Sequence, residues 1–171
     1  MLRFLKYILI LLLLYTSLSA YESEDKLKTV IVGKVAKYIS WRESKGDTFV
    51  ITVLNNSYDT LFEEVYFGKK IKGKPVVIRY INSIKSLGTT DILYISQLKN
   101  STLEEILLAS KNKNILTVSD MRGFAHKGGD LQLYFLGQKL KLKMNTDVMQ
   151  DEGFYIERTL LKIVEVVKGD E

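Results

Sequence analysis

Apolar residues along the chain change their spacing several times, and each change marks a new element. From Asp25 to Trp41 they fall at Leu27, Val30, Ile31, Val35, Tyr38 and Ile39, close to helical spacing. Thr48 to Leu54 is β-branched and mostly apolar, as suits a strand buried on both faces. Ser57 to Phe67 suits a helix, with Asp59 near its start and Leu61, Phe62, Val65 and Tyr66 following. Pro75 to Ile81 and Asp91 to Ile95 read as a second and a third strand. Proline at a strand's first residue costs little, because its missing N–H is not needed there. Ser101 with Glu104 has the form of a capping box and opens another helix. Ile115 to Val118 is the fourth strand.

The pattern then turns to strict alternation. Leu131 to Leu136 and Lys139 to Met144 are joined by Gly137-Gln138 and predict a β-hairpin. Leu140, Leu142 and Met144 share one face, and Lys139, Lys141 and Lys143 share the other. Phe154 to Val167 predicts a last helix that turns Ile156, Leu160, Leu161, Ile163, Val164 and Val167 toward the core. Neither a repeat nor a low-complexity tract interrupts this order. The predicted fold is α/β: a single-domain three-layer sandwich, its mostly parallel sheet flanked by helices and finished by the C-terminal antiparallel hairpin.

The amino terminus changes where the protein is expected to act. Arg3 and Lys6 precede an apolar run from Tyr7 to Tyr15, and Thr16-Ser-Leu-Ser-Ala20 supplies small residues suited to cleavage. Residues 1–20 therefore read as a signal peptide and 21–171 as the exported domain, with an uncleaved tether as the alternative. The run is shorter than the ~20 residues that span a bilayer. The signal holds no cysteine for lipidation, so the mature chain is expected to be a soluble envelope protein. Without Arg3 and Lys6 the formal charge falls from +5 to +3 (5 − 2). That mild balance argues against a nucleic-acid binder. The chain has no cysteine at all, so packing rather than disulfides must hold it together.

Candidate chemistry concentrates after the fourth strand, in Ser119-Asp-Met-Arg-Gly-Phe-Ala-His-Lys-Gly-Gly129. Loops at the carboxyl ends of strands are where α/β folds tend to place ligand sites. Ser119, Asp120 and His126 invite a hydrolase reading. However, adjacent Ser119 and Asp120 diverge along an extended backbone, and no Gly-x-Ser-x-Gly elbow is present. The plainer reading is that both side chains bond loop amides. A ligand or partner contact through Ser119, Asp120, Phe124, Gly128 and Gly129 comes second. His126 is the only histidine and cannot build a metal site with Asp120 and Asp130 alone. The plainer reading is an exposed loop histidine with no role, and a pH-sensitive ligand or partner contact is the alternative, since free imidazole changes charge near neutrality. Trp41 reads as a core plug whose indole N–H needs an acceptor, or as a partner contact if its helix lies at a surface. Gly68-Lys-Lys-Ile-Lys-Gly-Lys74 is most simply a solvated loop. Contact with anionic headgroups, a phosphate or an acidic partner is left open.

Fragments along the whole mature chain resemble the YfiR-like family of periplasmic regulatory proteins. They are Val35-Ala-Lys-Tyr-Ile-Ser-Trp41, Phe49-Val-Ile-Thr-Val-Leu54, Gly73-Lys-Pro75, Asp91-Ile-Leu-Tyr-Ile-Ser96, the Ser119–Gly129 run, Leu142-Lys-Met-Asn145 and Gly153-Phe-Tyr-Ile156. The resemblance implies a protein without enzymatic activity or cofactor. It implies binding to the periplasmic domain of an inner-membrane diguanylate cyclase, repressing it and so controlling cyclic di-GMP and biofilm formation. A small-molecule-binding sensor for a histidine kinase is the alternative, and a homodimer is left open. Two departures stand out: Arg42 follows the tryptophan where proline is usual, and the cysteines of several relatives are missing.

Overall fold

A computed structural model describes residues 24–43, 46–99 and 101–168, so the expected signal peptide lies outside the described residues. A first helix, α1, covers residues 24–36. Then follow β1 (Ile39–Ser40), β2 (Phe49–Leu54), α2 (Leu61–Tyr66), β3 (Lys70–Ile71), β4 (Lys74–Ile81) and β5 (Ile92–Ile95). The rest is α3 (Leu103–Ser110), β6 (Leu116–Ser119), β7 (Leu131–Leu136), β8 (Lys139–Asn145), α4 (Thr146–Asp151), β9 (Tyr155–Ile156), α5 (Arg158–Leu161) and β10 (Glu165–Val167). The main sheet has eight strands in the order β10-β8-β7-β6-β5-β2-β4-β3. Strands β4, β2, β5, β6 and β7 run parallel, and β8 turns back antiparallel to β7. The fold class is the α/β one expected.

Apolar alternation explains the layering. Ile92 and Tyr94 of β5 enter one core cluster, with Val32, Val35 and Ala36 of α1 and Phe62 and Tyr66 of α2. Leu93 and Ile95 point the other way, into a smaller cluster with Ile106 of α3, Ile84 and Phe124. All six residues of β2 are buried, which is why its sequence shows no polar face.

Four predicted elements change. The first helix, expected to run to Trp41, ends at residue 36; Ile39 and Ser40 pair with β9 instead, and Trp41 lies beyond the helix. Helix α3 is capped one residue late: Thr102 takes the N–H of Glu105 at 3.2 Å, because Thr102-x-x-Glu105 repeats the signature of Ser101-x-x-Glu104. The lysine-rich segment expected to be a solvated loop is a tight hairpin, β3 to β4. Lys72 (φ 52°) and Gly73 (φ 79°) supply the two left-handed residues that such a turn needs. The last helix is absent. In its place β9 pairs with β1, and after the single turn of α5, β10 pairs with β8. Gly153 at φ 82° closes α4 just before this segment, and the β-branched stretch Ile163 to Val167 gains ladder bonds at the sheet edge through Glu165–Val167.

Candidate functional site

Because β6 and β7 are parallel neighbours, residues 120–130 must return from the carboxyl end of the sheet to its amino end. The candidate loop is thus a crossover, and its residues do not share one place. Ser119 and Asp120 stand at the carboxyl ends of the strands, and Gly128 and Gly129 near the amino end. Ser119 is fully buried; its hydroxyl donates to the Ile95 carbonyl at 2.7 Å and accepts the Met121 N–H at 3.1 Å. Its hydroxyl hydrogen is committed to backbone, with no base to remove it.

Asp120 is the centre of a polar cluster that joins four elements. Its carboxylate accepts Lys28 Nζ of α1 at 2.7 Å and the Tyr58 hydroxyl at 3.1 Å. Lys28 also reaches Asp25 at 3.1 Å. Tyr58, in the turn between β2 and α2, gives its one hydrogen to Asp120, so Tyr94 of β5 donates in the 2.7 Å bond between the two phenols. Burial alone pulls the Lys28 ammonium down, yet the bonds and charges of Asp120 and Asp25 outweigh it and leave its pKa raised. Burial, then Tyr94 and Asp120, push the Tyr58 phenol far up, so it stays a donor.

Phe124 is fully buried in the smaller core cluster, and Gly129 lies flat against its ring. The crossover is fastened at its middle: Ala125 N–H donates to Gln132 Oε1 at 3.4 Å, and Asn145 Nδ2 donates to the Ala125 carbonyl at 3.0 Å. His126 is half-buried and close enough to help hold the Glu165 carboxyl below its usual range, behind the stronger effects of Tyr134 and Lys143. Trp41 is half-buried, donates its indole N–H to the Asp91 carbonyl at 3.1 Å and meets Phe49 and Phe154 edge-on. The residues singled out in the sequence therefore occupy three separate places: the carboxyl-end cluster, the crossover and the Trp41 corner.

Two aspartates missed in the sequence do matching work at the amino ends. Asp91, just before β5, accepts the buried Val50 N–H of β2 at 2.7 Å. Asp130, just before β7, accepts both the N–H and the hydroxyl of Thr117 of β6 at 2.7 Å. Each ties a parallel strand to its neighbour where the ladder begins. The signal was an aspartate directly ahead of a strand, legible only with the pairing known. Asp130 Oδ1 has no hydrogen-bond partner, and burial pushes the carboxyl up to about 6 against the bonds from Thr117. The folded state therefore binds this proton more tightly than the unfolded chain, whose aspartate titrates near 3.8. Stability is expected to fall as pH rises from about 4 to about 6, by up to ~3 kcal/mol, and to stay lower above that. Asp130→Asn should flatten that slope in urea titrations taken across this range. An unchanged slope would assign the titration elsewhere.

The cavities also lie at this amino end. One of about 630 Å³ is lined by Arg42, Thr89, Thr90, Asn112, Asn114 and Glu152, among others. One of about 450 Å³ runs between α3 and α4, over Leu103, Leu107, Thr117, Gly128 and Val148. They share Asn112, Asp151 and Glu152 and so adjoin. Of the candidate residues only Gly128 reaches either cavity. Among the described residues, no group of three or more His, Cys, Asp or Glu is placed to hold a metal ion, and no helix is long and apolar enough to cross a membrane.

Comparison with known proteins agrees with this architecture. A family model described as DUF4154, YfiR/HmsC-like, matches residues 25–165. No curated protein matches the chain. Among solved structures, an ABC domain from Streptococcus pneumonia in complex with L-Trp superposes with a TM-score of 0.57 at 13% identity. The match covers 79% of this chain and 59% of that one, so the chain spans about three-fifths of the solved domain. At that identity the likeness is one of fold.

Proposed function

The chain belongs to the YfiR/HmsC-like family, and on that footing we propose that it is a periplasmic, non-enzymatic regulator. It binds the periplasmic domain of an inner-membrane signalling protein, in the first place a diguanylate cyclase, and holds it inactive. Cyclic di-GMP and biofilm formation then rise when the contact is released. The observation that carries this reading is the family match across residues 25–165, nearly the whole described chain. The commitment of the Ser119 hydroxyl to backbone partners agrees with a protein that performs no hydrolysis. Repression works by preference: the regulator binds the inactive state of its partner more tightly and shifts the population toward it.

The test is recovery of the tagged, exported protein from detergent-solubilised envelopes, with co-purifying proteins identified by mass spectrometry. A membrane protein with a cyclase or kinase domain is the expected companion, and deleting its periplasmic domain should abolish recovery. Isolation of the regulator alone, with a small molecule bound, would instead favour a second reading as a small-molecule sensor. That alternative draws on the adjoining cavities of about 630 and 450 Å³, each of a size that takes a small ligand. It moves the ligand site from the crossover to the amino ends of the strands.

A further inference from the structure

The fold brings two lysine-rich segments together at one corner. Residues 33–41 and 67–78 contain Lys34, Lys37, Lys69, Lys70, Lys72 and Lys74 and not one aspartate or glutamate. Their adjacency is physical. Gly33 of α1 packs on the Tyr66 phenol at the end of α2, its N–H donating to that hydroxyl at 2.7 Å. Lys72, in the β3–β4 turn, reaches across to donate to the Lys37 carbonyl at 2.9 Å. Acidic side chains border the corner: Glu157, whose N–H donates to the Tyr38 carbonyl, Glu43 and Asp91, with Lys72 and Lys74 in a shallow hollow under Trp41, and Glu63 and Glu64 on α2, bonded to the Tyr80 and Thr60 hydroxyls.

At the same corner Phe67 is 88% exposed, the most exposed large apolar side chain among the described residues, and Tyr38 is 40% exposed. Holding six like charges near one another works against folding, and an exposed phenylalanine beside them gains nothing from water. Both features become favourable on one kind of surface. Anionic headgroups neutralise lysines, and aromatic rings settle at headgroup depth. We propose that this corner, formed by the ends of α1 and α2 and the β3–β4 hairpin, docks on an anionic phospholipid bilayer. Phe67 enters the headgroup layer, and the lysines of the two segments ring it. A regulator of a membrane-embedded partner would thereby search a surface rather than a volume.

The experiment is sedimentation of the purified exported protein with vesicles of phosphatidylglycerol and phosphatidylethanolamine, and separately with phosphatidylcholine alone. Binding is expected only to the anionic vesicles, and should weaken steeply between ~0.05 M and ~0.3 M salt. Lys69→Glu with Lys70→Glu should lower the partition coefficient at least about tenfold, and Phe67→Ala roughly fivefold. Lys139→Glu with Lys141→Glu makes the same change in net charge on the distant β-hairpin and should leave binding within about twofold. Thermal melts of each variant confirm folding. No binding to anionic vesicles at low salt overturns the proposal. Equal loss from the hairpin variant overturns it too, since net charge alone would then suffice. So does capture of an acidic protein through the same lysines by a chain that ignores vesicles. Vesicle binding is read without any partner present, so its outcome is separate from that of the regulatory reading.

Discussion

Phe124→Ala is expected to destabilise the protein by about 3–5 kcal/mol, the cost of emptying a fully buried aromatic site. Gly129→Ala should cost a further-reaching ~1–3 kcal/mol for a single methyl group. A Cβ at Gly129 would lie 2.2 Å from Phe124 Cε1 and 2.4 Å from Cζ, far inside contact distance. The ring cannot retreat, because it is enclosed by Leu54, Ile95, Ile106 and its neighbours. Gly128 next door offers the contrast. At φ 90°, its alanine variant carries backbone strain of roughly 1 kcal/mol, and its Cβ would meet only Leu107 Cδ1 at 3.7 Å. Urea titration of the two single variants and the double variant decides the mechanism. With the ring gone, Gly129→Ala should lose most of its cost, a coupling of ~1 kcal/mol or more. Additive losses would mean that the methyl group strains the chain rather than the ring.

The same pair shows where reading the sequence succeeds and where it stops. Gly128, Gly129 and Phe124 are visible as a glycine-punctuated loop carrying one aromatic ring, but whether that ring folds inward or meets a partner is not. Which of the two glycines yields to the ring depends on tertiary packing. The strands β2, β5 and β6 were legible because their short apolar runs are buried on both faces, and β4 because its β-branched run opens on a proline, though only Ile81 of it is fully buried. The C-terminal segment was not, because Ile156, Leu160, Val164 and Val167 satisfy helical spacing while the edge of β8 and the short strand β1 offer better partners. The candidate site suffered from the same blindness to pairing. Ser119 through Gly129 reads as one loop at a strand end. Only the parallel register of Val118 with Leu131 reveals that it must cross the sheet, parting Ser119 from Gly129. Lys28 and Tyr58, the partners of Asp120, lie 92 and 62 residues away from it along the chain, and no local pattern announces them.

Asp120→Ala tests what that cluster does. The variant leaves the Lys28 ammonium with Asp25 alone and the Tyr58 hydroxyl without its acceptor, both in partly buried surroundings. Removing one partner of a buried pair costs about 3–5 kcal/mol; with side-chain exposures of 13% and 23% here, ~2–4 kcal/mol is expected. Asp120→Asn keeps an acceptor for both donors and loses only the charge, so it should cost about half as much. Lys28→Met combined with Asp120→Asn should fall short of the sum of the single changes, because each alone strands its partner. The same variants separate a structural from a recognition role for Asp120. If the carboxylate only clasps α1 to the strand ends, recovery of the membrane partner should fall in step with stability. The stabler Asp120→Asn should then retain it at low temperature. If Asp120 meets the partner directly, Asp120→Asn abolishes recovery while the protein remains folded. The pattern of bonds favours the clasp: Lys28 and Tyr58 together occupy one oxygen of the carboxylate, on the side facing α1, and only the remainder of a small, mostly covered group is left to offer a partner.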